Sequence, residues 1–477
     1  MRLSTIVQNR FARIAACTLA VSLLPCIALA EDANAQLIAK GRYVAIAADC
    51  IACHTAPKGG QPFAGGYVIA SPMGGIVASN ITPSTTAGIG GWTEAQFIRA
   101  VRKGIAPGGH LYPAMPYTSY KSISDDDMHA LWTYLRADVK PVDTPLAAKT
   151  DLAFPFNQRW LMAGWNLLYA RGEPAVAAEV APGGPKRGEY LVNTLAHCAA
   201  CHSPRTMLLG ENAGAFLAGG DLGGWKAPNI TSDAVSGIGG WSEQELVDYL
   251  RTGRAPGKSQ AAGPMAEAVT HSLRFLDAAD LHAMAAYLKT VPAVRDAGQE
   301  VPAYAGAGAK PVAVGAVDVG VDRAPTALTD GALRDGQRLY VAACASCHQA
   351  DGQGTRDQFY PSLTHNSATG GMSAANLVMT IVDGVERETS HGTVSMPAFA
   401  DQLDEAQIAA VSNYVLRQFG NAKLEVTEGD VHAWRKGGEK PILLRATPYL
   451  MVAGPVIVLV LLVLLVAWLR RRKRRVA

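Results

Sequence analysis

The sequence predicts an all-α fold: three small helical domains in tandem, followed by one C-terminal transmembrane helix. Three observations predict it. The pentapeptide C-x-x-C-H occurs three times, as Cys50-Ile51-Ala52-Cys53-His54, Cys198-Ala199-Ala200-Cys201-His202 and Cys344-Ala345-Ser346-Cys347-His348. A capped amphipathic helix closes each of the three blocks that those motifs define. Near the end, Leu450 to Leu469 contains no charge over about the ~20 residues that a membrane span needs.

C-x-x-C-H is the attachment signature of a c-type haem. On a helix, cysteines three apart share a face and can bond both vinyl groups of one porphyrin. The following histidine can then reach the iron as proximal ligand. Covalent attachment is expected at Cys50, Cys53, Cys198, Cys201, Cys344 and Cys347, with His54, His202 and His348 on the iron, giving three haem c groups. Zinc would need the cysteine pairs gathered into four-ligand sites, and three pairs leave one over. A thiol redox pair would need a βαβ setting that the sequence lacks.

A chain of 477 residues allows about three domains. The expected organisation is a signal peptide over 1–30, domain 1 over 31–145, an interdomain segment over 146–182 and domain 2 over 183–292. A linker (293–329), domain 3 (330–420), a second linker (421–448), the transmembrane helix (449–469) and a basic tail (470–477) follow. Arg2, Arg10 and Arg13 precede an apolar stretch from Ile14 to Leu24, and Ala28-Leu29-Ala30 is a cleavage site. Ala33-Asn34-Ala35 is a second. The two cysteines outside the motifs, Cys17 and Cys26, fall in this leader, so the exported chain holds no spare thiol. Arg470-Arg471-Arg472-Lys473-Arg474-Arg475 marks the cytoplasmic side of the span. The expected location is the inner membrane, with the body in the periplasm and the tail in the cytoplasm. The chain's net +3 includes nine basic residues at its two ends. The body between them is therefore acidic and carries no basic stripe for nucleic acid.

Blocks one and two are duplicates. Asn80-Ile81-Thr82 precedes Gly88-Ile89-Gly90-Gly91-Trp92, and Asn229-Ile230-Thr231 precedes Gly237-Ile238-Gly239-Gly240-Trp241. The closing helices begin at matched caps: Ser124 with Asp127, Asp277 with Asp280, and Asp404 with Gln407. Staple residues flank each cap (Ile123 and Met128, Leu276 and Leu281, Leu403 and Ile408), and a tyrosine follows in each helix: Tyr134, Tyr287, Tyr414. These tyrosines are expected to pack on the helix that opens each block. Arg159 to Tyr169, between blocks one and two, is read as interdomain packing, with a docking surface for a partner or quinone as the alternative.

A methionine opposite the histidine gives low-spin iron of raised potential, because a neutral thioether favours the reduced metal. Met115 in Tyr112-Pro113-Ala114-Met115-Pro116, Met265 in Gly263-Pro264-Met265 and Met396 in Ser395-Met396-Pro397 stand between each motif and its closing helix. Met73, Met207 and Met372 are their rivals, and His391 is a competing ligand in block three. No Ser-His-Asp set, phosphate loop or nicotinamide fingerprint is present, so no catalytic residue is assigned.

Gly41-Arg42-Tyr43, Cys50 to Thr55, Ser79 to Pro83, Tyr112 to Tyr117 and Gly188-Glu189-Tyr190-Leu191-Val192 resemble the triheme cytochrome c subunits of membrane-bound periplasmic dehydrogenases. The resemblance covers roughly residues 36 to 420. It implies three class I cytochrome c-like domains. It also implies a catalytic dehydrogenase partner of flavin, PQQ or molybdenum type, oxidising an alcohol, sugar, sugar acid or aldehyde, and ubiquinone or a terminal oxidase as acceptor. A multihaem peroxidase or reductase and a cytochrome subunit of a respiratory oxidase are the alternatives. An enzyme needs an open iron site, and here each block offers a methionine to close it.

Overall fold

The computed structural model describes residues 32–172, 183–306, 308, 331–389 and 392–476. The expected signal peptide lies outside them. Domain 1 opens with α1 (32–47) and α2 (Cys50–Cys53). It continues through β1 (Val68–Ser71), β2 (Gly74–Val77), α3 (Glu94–Lys103), β3 (Ile105–Ala106) and β4 (Gly109–His110). It closes with α4 (Tyr117–Tyr120) and α5 (Asp125–Ala137), and β5 (Asp151–Leu152) adds a third strand beside β2. After α6 (Leu161–Tyr169), domain 2 repeats the plan. It has α7 (Pro185–Tyr190), α8 (Ala199–His202), β6 (Gly220–Leu222), β7 (Trp225–Ala227), α9 (Glu243–Thr252), β8 (Arg254–Ala255) and β9 (Ser259–Gln260). It ends in α10 (Gly263–His271) and α11 (Ala278–Leu288). Domain 3 contains α12 (Gly336–Ala343), α13 (Ala345–His348), α14 (Ser367–Gly370), α15 (Ala375–Asp383), β10 (Val385–Thr389), β11 (Gly392–Met396) and α16 (Glu405–Phe419). Two further helices follow, α17 (Glu428–Arg435) and α18 (Ile442–Val476).

The all-α expectation is corrected: the structure is 44% helix and 10% strand. The strands are antiparallel pairs of two to five residues. They are too short for an alternating pattern to show, and they close on glycines with positive φ such as Gly74 and Gly109. The transmembrane helix is corrected as well. Among the described residues, no helix is long and apolar enough to cross a membrane. The uncharged run does lie within α18. However, many of its side chains, those of 454–459 and 469 onward among them, are outside the described residues, so the structure supplies a helix there and not a span.

Each domain is built on a crossing of its first and last helices at a glycine. A Cβ on Gly41 would collide with the Ala130 carbonyl, one on Gly188 with that of Ala283, and one on Gly336 with that of Ala410. The next neighbours are the Cβ atoms of Tyr134, Tyr287 and Tyr414, so the three tyrosines do pack on the opening helices. The staple residues Ile123, Met128, Leu276, Leu281, Leu403 and Ile408 are all buried. Ser124 and Asp404 accept the expected cap bonds from Asp127 N–H (3.1 Å) and Gln407 N–H (2.8 Å). Asp277 makes no side-chain cap bond. Its own N–H donates to the Tyr43 hydroxyl at 3.2 Å instead.

That bond belongs to a reciprocal exchange between domains 1 and 2, which share one apolar core. Tyr43 of α1 donates to Asp280 Oδ2 at 2.6 Å, and Tyr190 of α7 donates to Asp127 Oδ2 at 2.7 Å. The Ser124 N–H donates to the Tyr190 hydroxyl at 3.2 Å, mirroring Asp277 and Tyr43. Each opening helix thus completes the N-terminus of the other domain's closing helix. Arg187 adds a two-toothed ion pair to Asp280 at 2.7 and 3.0 Å, and Lys40 pairs with Asp127 at 3.1 Å.

The α6 helix also joins the two domains. Asn166 accepts from Tyr117 at 2.7 Å, Trp165 Nε1 donates to the Leu208 carbonyl at 3.0 Å, and Tyr169 bonds Thr206 at 2.8 Å. This is the interdomain packing expected of the segment, although Trp160, Leu167 and Leu168 remain exposed on its outer side. Residues 421–435 pack on domain 3, where Asn413 bonds both the N–H and the carbonyl of Val426 and Val431 is fully buried.

Two outcomes follow for stability. Gly188→Ala should cost about 2–3 kcal/mol through overpacking at the crossing, read as a lower denaturant midpoint. Burial works to raise the Asp280 pKa, but the bonds from Arg187 and Tyr43 outweigh it and hold the carboxyl below its ordinary value. The stability this carboxylate supplies is complete above the unfolded value of about 3.9 and is lost as pH falls through the lower folded one. Asp280→Asn should therefore destabilise the chain by on the order of 3 kcal/mol at pH 7. At acid pH, below the folded value, variant and wild type should converge in thermal midpoint.

Candidate functional site

The three C-x-x-C-H motifs occupy equivalent places, each at the end of an opening helix and beginning a loop. In each, the histidine Nδ1 faces a backbone carbonyl: His54 to Ser79 at 2.7 Å, His202 to Pro228 at 2.7 Å, His348 to Pro361 at 2.9 Å. Only a protonated nitrogen can face a carbonyl oxygen, so Nδ1 carries the hydrogen and Nε2 keeps its lone pair. Burial lowers the pKa of all three rings, holding them neutral. A neutral imidazole with its second nitrogen tied to a carbonyl is the form that ligates a metal.

The carbonyl loops are held from behind. Asn80 donates to the Val142 carbonyl at 2.8 Å, while its Oδ1 accepts from Thr82 N–H at 2.8 Å and from the Thr82 hydroxyl at 2.6 Å. Asn229 does the same with the Val294 carbonyl and with Thr231, at 2.8, 2.9 and 2.7 Å. Both asparagines are buried. The repeated Asn-Ile-Thr is therefore a clamp, tying the residue before it to the chain beyond the closing helix. The repeated Gly-Ile-Gly-Gly-Trp serves close approach: a Cβ on Gly88 or Gly237 would strike the Thr82 or Thr231 carbonyl. From the end of the closing helices, Lys289 reaches the Gly239 and Trp241 carbonyls, and Arg136 that of Gly90.

The expected methionines share a second register. In each domain a helix ends at a glycine (Gly104, Gly253, Gly384), a hairpin follows, and the methionine stands at or just after the hairpin's end. Met115 is held in a turn by its N–H to the Tyr112 carbonyl (3.1 Å) and its carbonyl to the Tyr117 N–H (2.8 Å). Met265 lies in the first turn of α10, and Met396 ends β11 opposite Val385. All three are half-buried against the cores. The rivals Met207 and Met372 are mostly exposed. Met73 sits in the β1–β2 turn, and His391 lies outside the described residues.

The donor set fits a haem and not a bare ion. Among the described residues, no three His, Cys, Asp or Glu side chains gather to hold a metal. The six cysteines form no disulfide. Burial pushes the Cys50, Cys198 and Cys344 thiols up to about 12 and Cys53 up to about 11, far from the thiolate that zinc or thiol exchange would use. Two cysteines and a neutral histidine on one element, with a half-buried thioether in the same domain, are what a covalently held porphyrin requires.

The three sites are also neighbours. The α10 helix, which carries Met265, touches α2 of domain 1 on one side and β10 of domain 3 on the other. Sequence reasoning missed the carbonyls of Ser79, Pro228 and Pro361. Their signal was nevertheless present, since Ser79 and Pro228 each directly precede an Asn-Ile-Thr.

Fold and sites together define a c-type cytochrome. The cytochrome c family model matches residues 185–292 and 333–418, and that of cytochrome c oxidase, cbb3-type, subunit III matches 36–135. The chain is 45% identical to the fructose dehydrogenase cytochrome subunit of Gluconobacter japonicus, over 94% of this chain and 93% of that one. It is 38% identical to the gluconate 2-dehydrogenase cytochrome c subunit of Pantoea cypripedii, over 88% and 94%. It is also 38% identical to the alcohol dehydrogenase (quinone) cytochrome c subunit of Gluconacetobacter polyoxogenes, over 88% and 89%. The chain belongs to the family of cytochrome c subunits of dehydrogenase complexes, and its cofactor is covalently bound haem c.

Asn229→Ala should leave two buried groups of the loop without partners and cost about 2–3 kcal/mol, read as a lower thermal midpoint. Asn229→Asp, which would set a buried carboxylate oxygen against the Val294 carbonyl and beside Asp296, should cost at least as much.

Proposed function

We propose that the chain is a three-haem electron relay. Haem c is attached at Cys50 and Cys53, at Cys198 and Cys201, and at Cys344 and Cys347. His54, His202 and His348 are the proximal ligands, and Met115, Met265 and Met396 the distal ones. The observation that carries this reading is the threefold recurrence of one geometry: a neutral histidine tied to a carbonyl, with a half-buried methionine after a glycine-closed helix and hairpin.

When bound, haem c supplies a one-electron iron couple. The chain's residues hold each imidazole in one tautomer, present a soft thioether that favours the reduced metal, and keep the three sites adjoining through α10 and the shared core of domains 1 and 2. Electrons enter from a catalytic dehydrogenase subunit, of flavin, PQQ or molybdenum type, and leave to ubiquinone or a terminal oxidase. The identity to a fructose dehydrogenase cytochrome subunit favours a sugar-oxidising partner. Covalent attachment and the leader sequence favour the periplasm. A peroxidase or reductase needs an open iron position, which the methionines close.

The full chain should carry three haems by intact mass and by haem-to-protein ratio. Met115→Ala, Met265→Ala and Met396→Ala should each remove about one third of the weak far-red sulfur–iron absorption. A methionine change that leaves that band intact would reject the ligand it tests.

A further inference from the structure

Domain 3 sends a cation into domain 2. Arg387, at the centre of β10, is 1% exposed, among the most deeply buried large side chains of the chain. Its guanidinium donates to the Ala261 carbonyl through Nη1 and to Gln260 Oε1 at 3.2 Å through Nη2. Nε is buried with no partner. Both acceptors are neutral, and no ion pair to it occurs among the described residues. Burial pushes its pKa down to about 10, partly offset by Tyr249 and reinforced by Arg254 nearby, so the group is still charged at neutral pH. A buried charge left without a counter-charge is costly to the fold, so its retention calls for a role. Its neighbours Glu386 and Glu388 point to the other, exposed face of the strand, and Glu388 is taken by Arg274 at 2.6 Å.

The position of this charge is specific. Arg387 pairs with Val394 and Val385 pairs with Met396, so Arg387 and Met396 share the inner face of the hairpin as diagonal neighbours. On the other side its partner Ala261 stands four residues before Met265, and α10 packs on β10. The cation therefore lies between the methionine-bearing elements of two domains.

We propose that Arg387 sets the redox potentials of the domain 2 and domain 3 haem sites together, its fixed positive charge favouring the reduced state of both. It acts through space, as a positioning charge and not as a ligand. The proposal rests on the assignment of Met265 and Met396 above. That assignment is checked independently by the far-red band and the haem count, which do not depend on Arg387.

The experiment is spectroelectrochemical titration of the full holoprotein in two variants and a control. Arg387→Met removes the charge with similar bulk. Gln260→Glu leaves the arginine in place and sets a carboxylate against its Nη2, cancelling the field. Each should lower the ferrous-to-ferric ratio of the domain 2 and domain 3 haems at a fixed poise by on the order of tenfold, with domain 1 moved least and the far-red band retained. Arg387→Lys should stay near wild type. Unchanged potentials in Gln260→Glu overturn the proposal, whether or not Arg387→Met folds. An equal shift at all three haems overturns it too, because a charge held between domains 2 and 3 cannot act equally on domain 1.

Discussion

A ring N–H bonded to a backbone carbonyl is the constraint on which each domain depends. It selects the tautomer of the motif histidine and aims its other nitrogen, so the loop bearing that carbonyl must stand still. In domains 1 and 2, Asn80 and Asn229 hold the loop by accepting from the N–H and hydroxyl of Thr82 and Thr231, and the chain beyond the closing helix supplies the anchoring carbonyl. The closing helix in turn is seated by its glycine crossing with the opening helix, which leads into the cysteines. Attachment, ligation and packing therefore form one closed circuit, in which no part can shift alone.

Duplication of the first two domains has been turned into an interface. Tyr43 and Tyr190 each leave their own domain to bond the N-terminus of the other's closing helix, with Asp280 and Asp127 as matched acceptors. The exchange has the reciprocity of a two-fold dimer, here within one chain. Domain 3 is joined differently. It meets domain 2 through polar contacts, the buried Arg387 and Trp225, which packs against the separate core of domain 3. The chain thus combines a tight pair of domains with a third attached through the hairpin that carries Met396.

Much of the site was legible because it is written in short, local patterns. C-x-x-C-H places two thiols and an imidazole within five residues. The staple pairs and the closing tyrosines lie at fixed helical spacings, and all sit where those spacings put them. Where the pattern is weaker the reading failed. Strands of two to five residues carry no periodicity, so β1 to β11 were invisible. Asp277 has the composition of a cap, yet its side chain makes no cap bond, and its N–H donates to a tyrosine 234 residues away.

The sequence by itself determined what is local: the cysteines and histidines of three C-x-x-C-H motifs, the helices that open and close each domain, and the methionines available to each. Only the tertiary structure decided which carbonyl fixes each imidazole, which methionines are half-buried and which are left in solvent, and how the sites adjoin. These are contacts between residues far apart in the chain. A carbonyl is present at every residue, and a guanidinium such as that of Arg387 looks like any other until folding removes its water. Distance and burial, which set its effect, exist only after the domains have packed.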